Sequence, residues 1–241
     1  MIRNQYIKSF ELLRDNIKSF SDYPYNLPVV KYLNSIDLHD KVTFFIGENG
    51  AGKSTLLEAI AIQYGFNAEW WSKNFNFSTT ESTYPLAEYI RLSKGTIRPK
   101  DGYFLRAESF YNVASVIDTI WVNEAYWWES LHNQSHWESF FSLFMHRFFW
   151  NGLYILDEPE AALSPQRQLS FLVKLHELVQ NNSQFIIATH SPIILSYPHA
   201  KIIYISEHWF EEINYKDSEH YNTYKMFLNN PSHILNKLDI I

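Results

Sequence analysis

Residues 42–64 read VTFFIGENGAGKSTLLEAIAIQY. It opens with a short apolar run, 42–46, of the kind that forms a buried strand. It closes with 54–64, where Leu56, Leu57, Ile60 and Ala61 recur at the spacing of one helical face. Between the two lies GENGAGKS, residues 47–54, which fits G-x-x-x-x-G-K-[ST] in the strand-then-helix setting that this spacing requires. The chain holds only seven glycines, and Gly47, Gly50 and Gly52 are three of them. Glycine there lets the backbone bend and its N–H groups close around a phosphate, while the start of the helix adds partial positive charge. In such a loop Lys53 meets the β- and γ-phosphates and the Ser54 hydroxyl ligates Mg2+.

Two further stretches are built the same way. LYILDEPEAAL, residues 153–163, is an apolar strand ending in Asp157 and Glu158, two carboxylates at a sheet's carboxyl edge, where ligands of such folds bind. Asp157 is read as holding Mg2+, and Glu158 as orienting and polarising an attacking water. Glu160 reads as a solvated or supporting carboxylate. FIIATHS, residues 185–191, is another apolar run, ending in Thr189 and His190. Adjacent parallel strands end on one edge, so His190 is expected to reach the γ-phosphate.

Runs at 103–106, 202–205 and 210–215 also read as strands. Residues 166–180 read as a helix, capped by Ser164 with Pro165 in its first turn. Its apolar face is expected to be Leu169, Leu172, Val173, His176 and Val179. Strands alternating with helices predict an α/β fold, a mainly parallel sheet flanked by helices. Residues 1–64 and 151–241 are expected to form the core of a single domain. Residues 65–150, crowded with aromatic side chains, are expected to form an inserted, mostly helical lobe.

The composition narrows the function. Of 241 residues, 46% are apolar and 19% charged, which excludes wholesale disorder. The net charge of −6 gives no support to a strongly basic nucleic-acid or membrane binder. With no cysteine, thiol catalysis, thiolate metal sites and disulfides are excluded. The N-terminus lacks a signal-peptide apolar core, and no window offers the ~18 apolar residues of a membrane span. A cytoplasmic protein is expected.

The three motifs, in this order, resemble the ATP-binding-cassette (ABC) class of P-loop ATPases, with Walker A, a Walker B strand ending in Asp-Glu, and a switch histidine. Within it the chain is similar to short stand-alone bacterial AAA/ABC-type ATPases related to the SMC and RecF heads. That similarity runs through FIGENGAGKSTLLEAIA (45–61), FLRAESFYNVA (104–114), QSHWESFFSLFMHRF (134–148), LYILDEPEAALSPQRQL (153–169), SQFIIATHSPIIL (183–195) and DSEHYNTYKMFLNNP (217–231). It implies ATP and Mg2+ as cofactors, with Gly47, Glu48, Asn49, Gly50, Ala51, Gly52, Lys53, Ser54 and Thr55 binding the nucleotide. It implies Ser54 and Asp157 on the metal, with Glu158 and His190 catalytic. Ser135 matches the signature serine that meets the γ-phosphate of an opposite subunit, although Trp137 stands where these relatives have glycine. Without the resemblance, Ser135 reads as a helix cap. Glu108 matches the strand-end glutamine that watches the metal, and equally suits pairing with Arg106. Tyr23 and Tyr25 fall near the position of the adenine-stacking aromatic, with packing as their other reading.

The resemblance implies ATP hydrolysis in a homodimer sandwiching two ATP, coupled to a protein effector such as a nuclease in DNA maintenance or phage defence. A nucleotide switch with little turnover and the ATPase subunit of a membrane importer are the alternatives.

Overall fold

The computed structural model describes residues 5–66, 85–106, 144–145, 147–206 and 208–240. In chain order the elements are β1 (Ile7–Leu12), α1 (Pro28–Lys31), β2 (Ser35–Asp37), β3 (Val42–Gly47), α2 (Lys53–Tyr64), β4 (Ile90–Lys94) and β5 (Asp101–Arg106). Then follow β6 (Gly152–Asp157), α3 (Pro165–Gln180), β7 (Gln184–Ala188), α4 (Pro192–Leu195), β8 (Lys201–Ile205), β9 (Phe210–Ile213), α5 (Glu219–Asn229) and α6 (Pro231–Lys237).

Six strands form one sheet in the order β5-β6-β7-β3-β8-β9. Five run parallel, and β9 returns antiparallel at the edge. Every residue of β3, β6 and β7 is buried, as strands covered on both faces must be. The predicted α/β fold with a mainly parallel sheet is thus the one observed. A second, antiparallel sheet has the order β2-β1-β4. In β1 the buried residues are Ile7, Phe10 and Leu12, and the register against β4 shifts between Ile7 and Ser9. Both β4 and β5 fall within 65–150, so the described part of that segment contributes a strand to each sheet.

Gln184 joins the sheets. Its Oε1 accepts from the backbone N–H groups of Tyr6 and Ile7, each at 2.9 Å. Its Nε2 donates to the carbonyls of Ile7 at 2.8 Å and His39 at 2.9 Å. All of its hydrogen-bonding capacity is used, which is how a fully buried amide is tolerated.

Aromatic rings fill the other side of the parallel sheet. Tyr154 of β6 stacks on Phe148 at 4.2 Å, and Phe144 stacks on Phe171 of α3 at 4.3 Å. The Tyr154 hydroxyl lies 2.7 Å from Asp101 Oδ2 and 2.6 Å from the Phe149 carbonyl. Burial and the neighbouring carboxylate push its pKa far up.

Helix α3 differs from its sequence reading. Ser164 does cap it, accepting from the Arg167 N–H at 3.3 Å. The buried face, however, is Gln168, Phe171, Leu175, Leu178 and Val179, while Leu169 and Val173 are 56% and 72% exposed. Gln168 sets this rotation, donating to the Leu163 carbonyl at 3.0 Å and accepting from Ser191 Oγ at 2.5 Å. Among the described residues no helix is long and apolar enough to cross a membrane.

Candidate functional site

Strands β3, β6 and β7 are neighbours in register, with Asp157 opposite Ala188 and Phe45 opposite Ala188. Their carboxyl ends therefore deliver the loop after β3, the acidic pair after β6 and Thr189-His190 after β7 to one edge of the sheet.

The loop after β3 needs its glycines. Gly47 has φ +151°, and a Cβ there would lie 2.4 Å from the Ile205 carbonyl oxygen. Gly52 has φ +93°, and its Cβ would meet Val29 Cγ1 at 2.5 Å. Neither position accepts another residue without moving its neighbours. Lys53 is buried, with Nζ donating to the carbonyls of Gly47 at 2.8 Å and Glu48 at 2.9 Å. Burial lowers its pKa, against the opposing pull of Glu158, Asp157 and Glu160.

Ser54, in the first turn of α2, donates from Oγ to Asp157 Oδ1 at 3.2 Å. Arg106, ending β5, donates from Nε to Oδ2 of the same carboxylate at 2.9 Å, and lies 3.8 Å from Glu58. Ser54 and Asp157 thus present two hard oxygen donors side by side. Mg2+ takes that kind of set, one carboxylate and a hydroxyl completed by water and phosphate oxygens. Among the described residues no group of three or more His, Asp or Glu is assembled to hold a metal by protein ligands alone.

Glu158 sits in the left-handed region at φ +50°, a conformation costing about 1–3 kcal/mol that clusters at functional sites. Its N–H donates to the Ala188 carbonyl at 2.9 Å, which fixes the turn. Its Oε1 lies 3.7 Å from His190 Nε2. Glu160 is half-buried and has the supporting role. It accepts from Thr189 Oγ1 at 2.7 Å and from the His190 backbone N–H, and so holds the turn that carries His190. Burial raises its pKa, and these hydrogen bonds oppose the rise. Burial, with help from Lys53 and His220, lowers His190 from the ordinary 6.5 to about 4. The ring is therefore neutral near pH 7.

Three features escape a sequence reading. Arg106 grips Asp157. His220, in the first turn of α5, meets His190 at 2.8 Å between Nε2 and Nδ1. A cavity of about 420 Å³ opens beside Glu48, Asn49, Gly50 and Ala51, walled by Tyr204, His208 and Trp209. A motif search finds none of these, because each partner comes from a distant stretch of chain. Tyr25 packs edge-on against Tyr89 at 5.4 Å, and Tyr23 is 70% exposed. Glu108, Ser135 and Trp137 lie outside the described residues.

Comparison with known proteins bears on these parts. Residues 12–94 match a model of an AAA domain, and residues 139–195 match a model of an AAA ATPase domain. No curated protein matches the chain. Among solved structures, the SMC head domain from Thermotoga maritima is similar at 16% identity and a TM-score of 0.46, over 87% of this chain and 99% of that one. An inward-facing putative metal-chelate type ABC transporter is similar at 15% identity and a TM-score of 0.48, over 91% of this chain and 88% of that one. Family matches of the AAA ATPase type support ATP binding and hydrolysis. The first matched segment carries the glycine loop and Ser54, and the second carries Asp157, Glu158 and His190. The two AAA family models thus cover both halves of the site.

Proposed function

We propose that this protein binds ATP with Mg2+ at residues 47–55 and hydrolyses it, a second copy of the chain covering the nucleotide's other face. One observation carries the reading: the glycine loop, the Ser54–Asp157 pair and the Glu158–His190 pair meet at a single sheet edge. In this reading the loop N–H groups and Lys53 bind the phosphates, and Ser54 and Asp157 hold Mg2+, which when bound offsets phosphate charge. Glu158 orients the attacking water and accepts its proton, while His190 Nε2 contacts the γ-phosphate. The resemblance described above supports adding Glu108 beside the metal and Ser135 as the contact from the facing protomer, within a lobe spanning 65–150. ATP then acts as a clamp that hydrolysis opens, working on a protein effector in DNA maintenance or phage defence in the cytoplasm.

The test is Glu158→Gln. It is expected to bind ATP as the wild type does, to hydrolyse it at least ~100-fold more slowly, and to elute as an ATP-bound dimer. Hydrolysis at the wild-type rate removes Glu158 as the base. A chain that stays monomeric in ATP removes the paired arrangement.

A further inference from the structure

His190 and His220 share one hydrogen bond, Nδ1 to Nε2 at 2.8 Å. Their outer nitrogens, His190 Nε2 and His220 Nδ1, are buried without a hydrogen-bond partner among the described residues. A neutral imidazole carries one N–H, so the contact holds one proton in one of two arrangements. If His190 donates, its Nε2 is left with a lone pair. If His220 donates, His190 keeps an N–H at Nε2.

The surroundings choose between them. The charged and titratable groups around His190 are Glu158 and Glu160 after β6, Lys53 of α2, and Glu219 and His220 of α5. Glu160 is taken up by the His190 backbone N–H and Thr189. Glu158 Oε1 is the group in front of Nε2, at 3.7 Å. A lone pair aimed at a carboxylate, and at the phosphate oxygens expected there, is repelled, whereas an N–H is attracted. We propose that His220 is a positioning residue: its Nε2–H donates to His190 Nδ1 and holds His190 in the tautomer that presents Nε2–H to the γ-phosphate. The partner of one ring nitrogen sets the state of the other, as it does for functional histidines generally. The inference rests on the ATPase reading for its purpose, but the tautomer itself does not depend on it.

Two measurements test it. Long-range 1H–15N spectra of the full-length, nucleotide-free protein at pH 7 report each ring nitrogen directly. The expected result is a bare Nδ1 and a protonated Nε2 on His190. A protonated Nδ1 there overturns the proposal whether or not the protein hydrolyses ATP, so failure of this inference and failure of the ATPase reading are told apart. Turnover of three variants then tests the consequence, with melting curves to confirm that each is folded. His220→Gln keeps an N–H donor and is expected to retain turnover within about threefold. His220→Ala loses the donor and is expected to lose about 10–100-fold in kcat, as removal of such orienting partners does at other histidine sites. His220→Glu accepts instead of donating, so His190 presents Nε2–H only when doubly protonated. Its kcat is expected to fall as pH rises through the His190 pKa, a limb absent from the wild type. Equal turnover by the Ala and Gln variants, or a Glu variant whose profile matches the wild type, overturns the proposal.

Discussion

Ser54 Oγ donates to Asp157 Oδ1 at 3.2 Å, a bond between residues 103 apart in sequence. It fastens the first turn of α2 to the end of β6, two strands away from the strand that feeds α2. With Arg106 on the other oxygen, Asp157 is held from both sides. The oxygen donors are therefore arranged by the fold itself.

Lys53→Ala should weaken ATP binding by about 10–100-fold, because hydrogen bonds to charged groups contribute about 1.5–3 kcal/mol. Calorimetric titration measures this. An unchanged dissociation constant would reject the phosphate role of the loop.

Ser54→Ala should leave the fold intact and raise the Mg2+ concentration needed for half-maximal ATPase activity by about tenfold or more. The Mg2+ midpoint at saturating ATP is the readout. An unmoved midpoint takes Ser54 off the metal.

Gln184→Ala strips partners from the backbone groups of Tyr6, Ile7 and His39 at the junction of the sheets. Each buried polar group left unpaired costs about 1–3 kcal/mol, so a loss of about 3 kcal/mol or more is expected in urea unfolding. A loss below about 1 kcal/mol would mean that the sheets are held together mainly by apolar packing.

His190 gives the stability a pH dependence. Its folded pKa is about 4, against 6.5 as the ordinary value. Between those values the unfolded chain binds a proton that the folded chain does not, so stability falls as the pH drops from about 6.5 to about 4. The melting temperature of His190→Gln should change less over that window than that of the wild type. Parallel curves would mean that other groups dominate.

Much of this was legible in the sequence, for definite reasons. Strands β3, β6 and β7 are short and mostly apolar because both of their faces are covered, and each leads into the polar residues of the candidate site. Strand β1 leaves no alternating signal in IKSFEL, because its buried residues Ile7, Phe10 and Leu12 are not evenly spaced and the register against β4 shifts between Ile7 and Ser9. The rotation of α3 was misjudged because Gln168 takes a buried position that hydrophobicity assigns to Leu169. His220 left no signal, since only the return of α5 to the end of β7 gives it a meaning.

Arg106 has one more consequence. A bare carboxylate buried at the end of β6 would cost on the order of several kcal/mol. The guanidinium is a built-in counter-ion, so charge balance at Asp157 does not wait for a divalent cation. On the proposed reading a divalent cation is then free to arrive and leave with each nucleotide. A chelator such as EDTA should therefore abolish activity yet shift the melting temperature of the nucleotide-free protein by less than about 2 °C. On the proposed reading magnesium is a reagent of the cycle, and the counter-ion that Asp157 needs in the folded chain is Arg106.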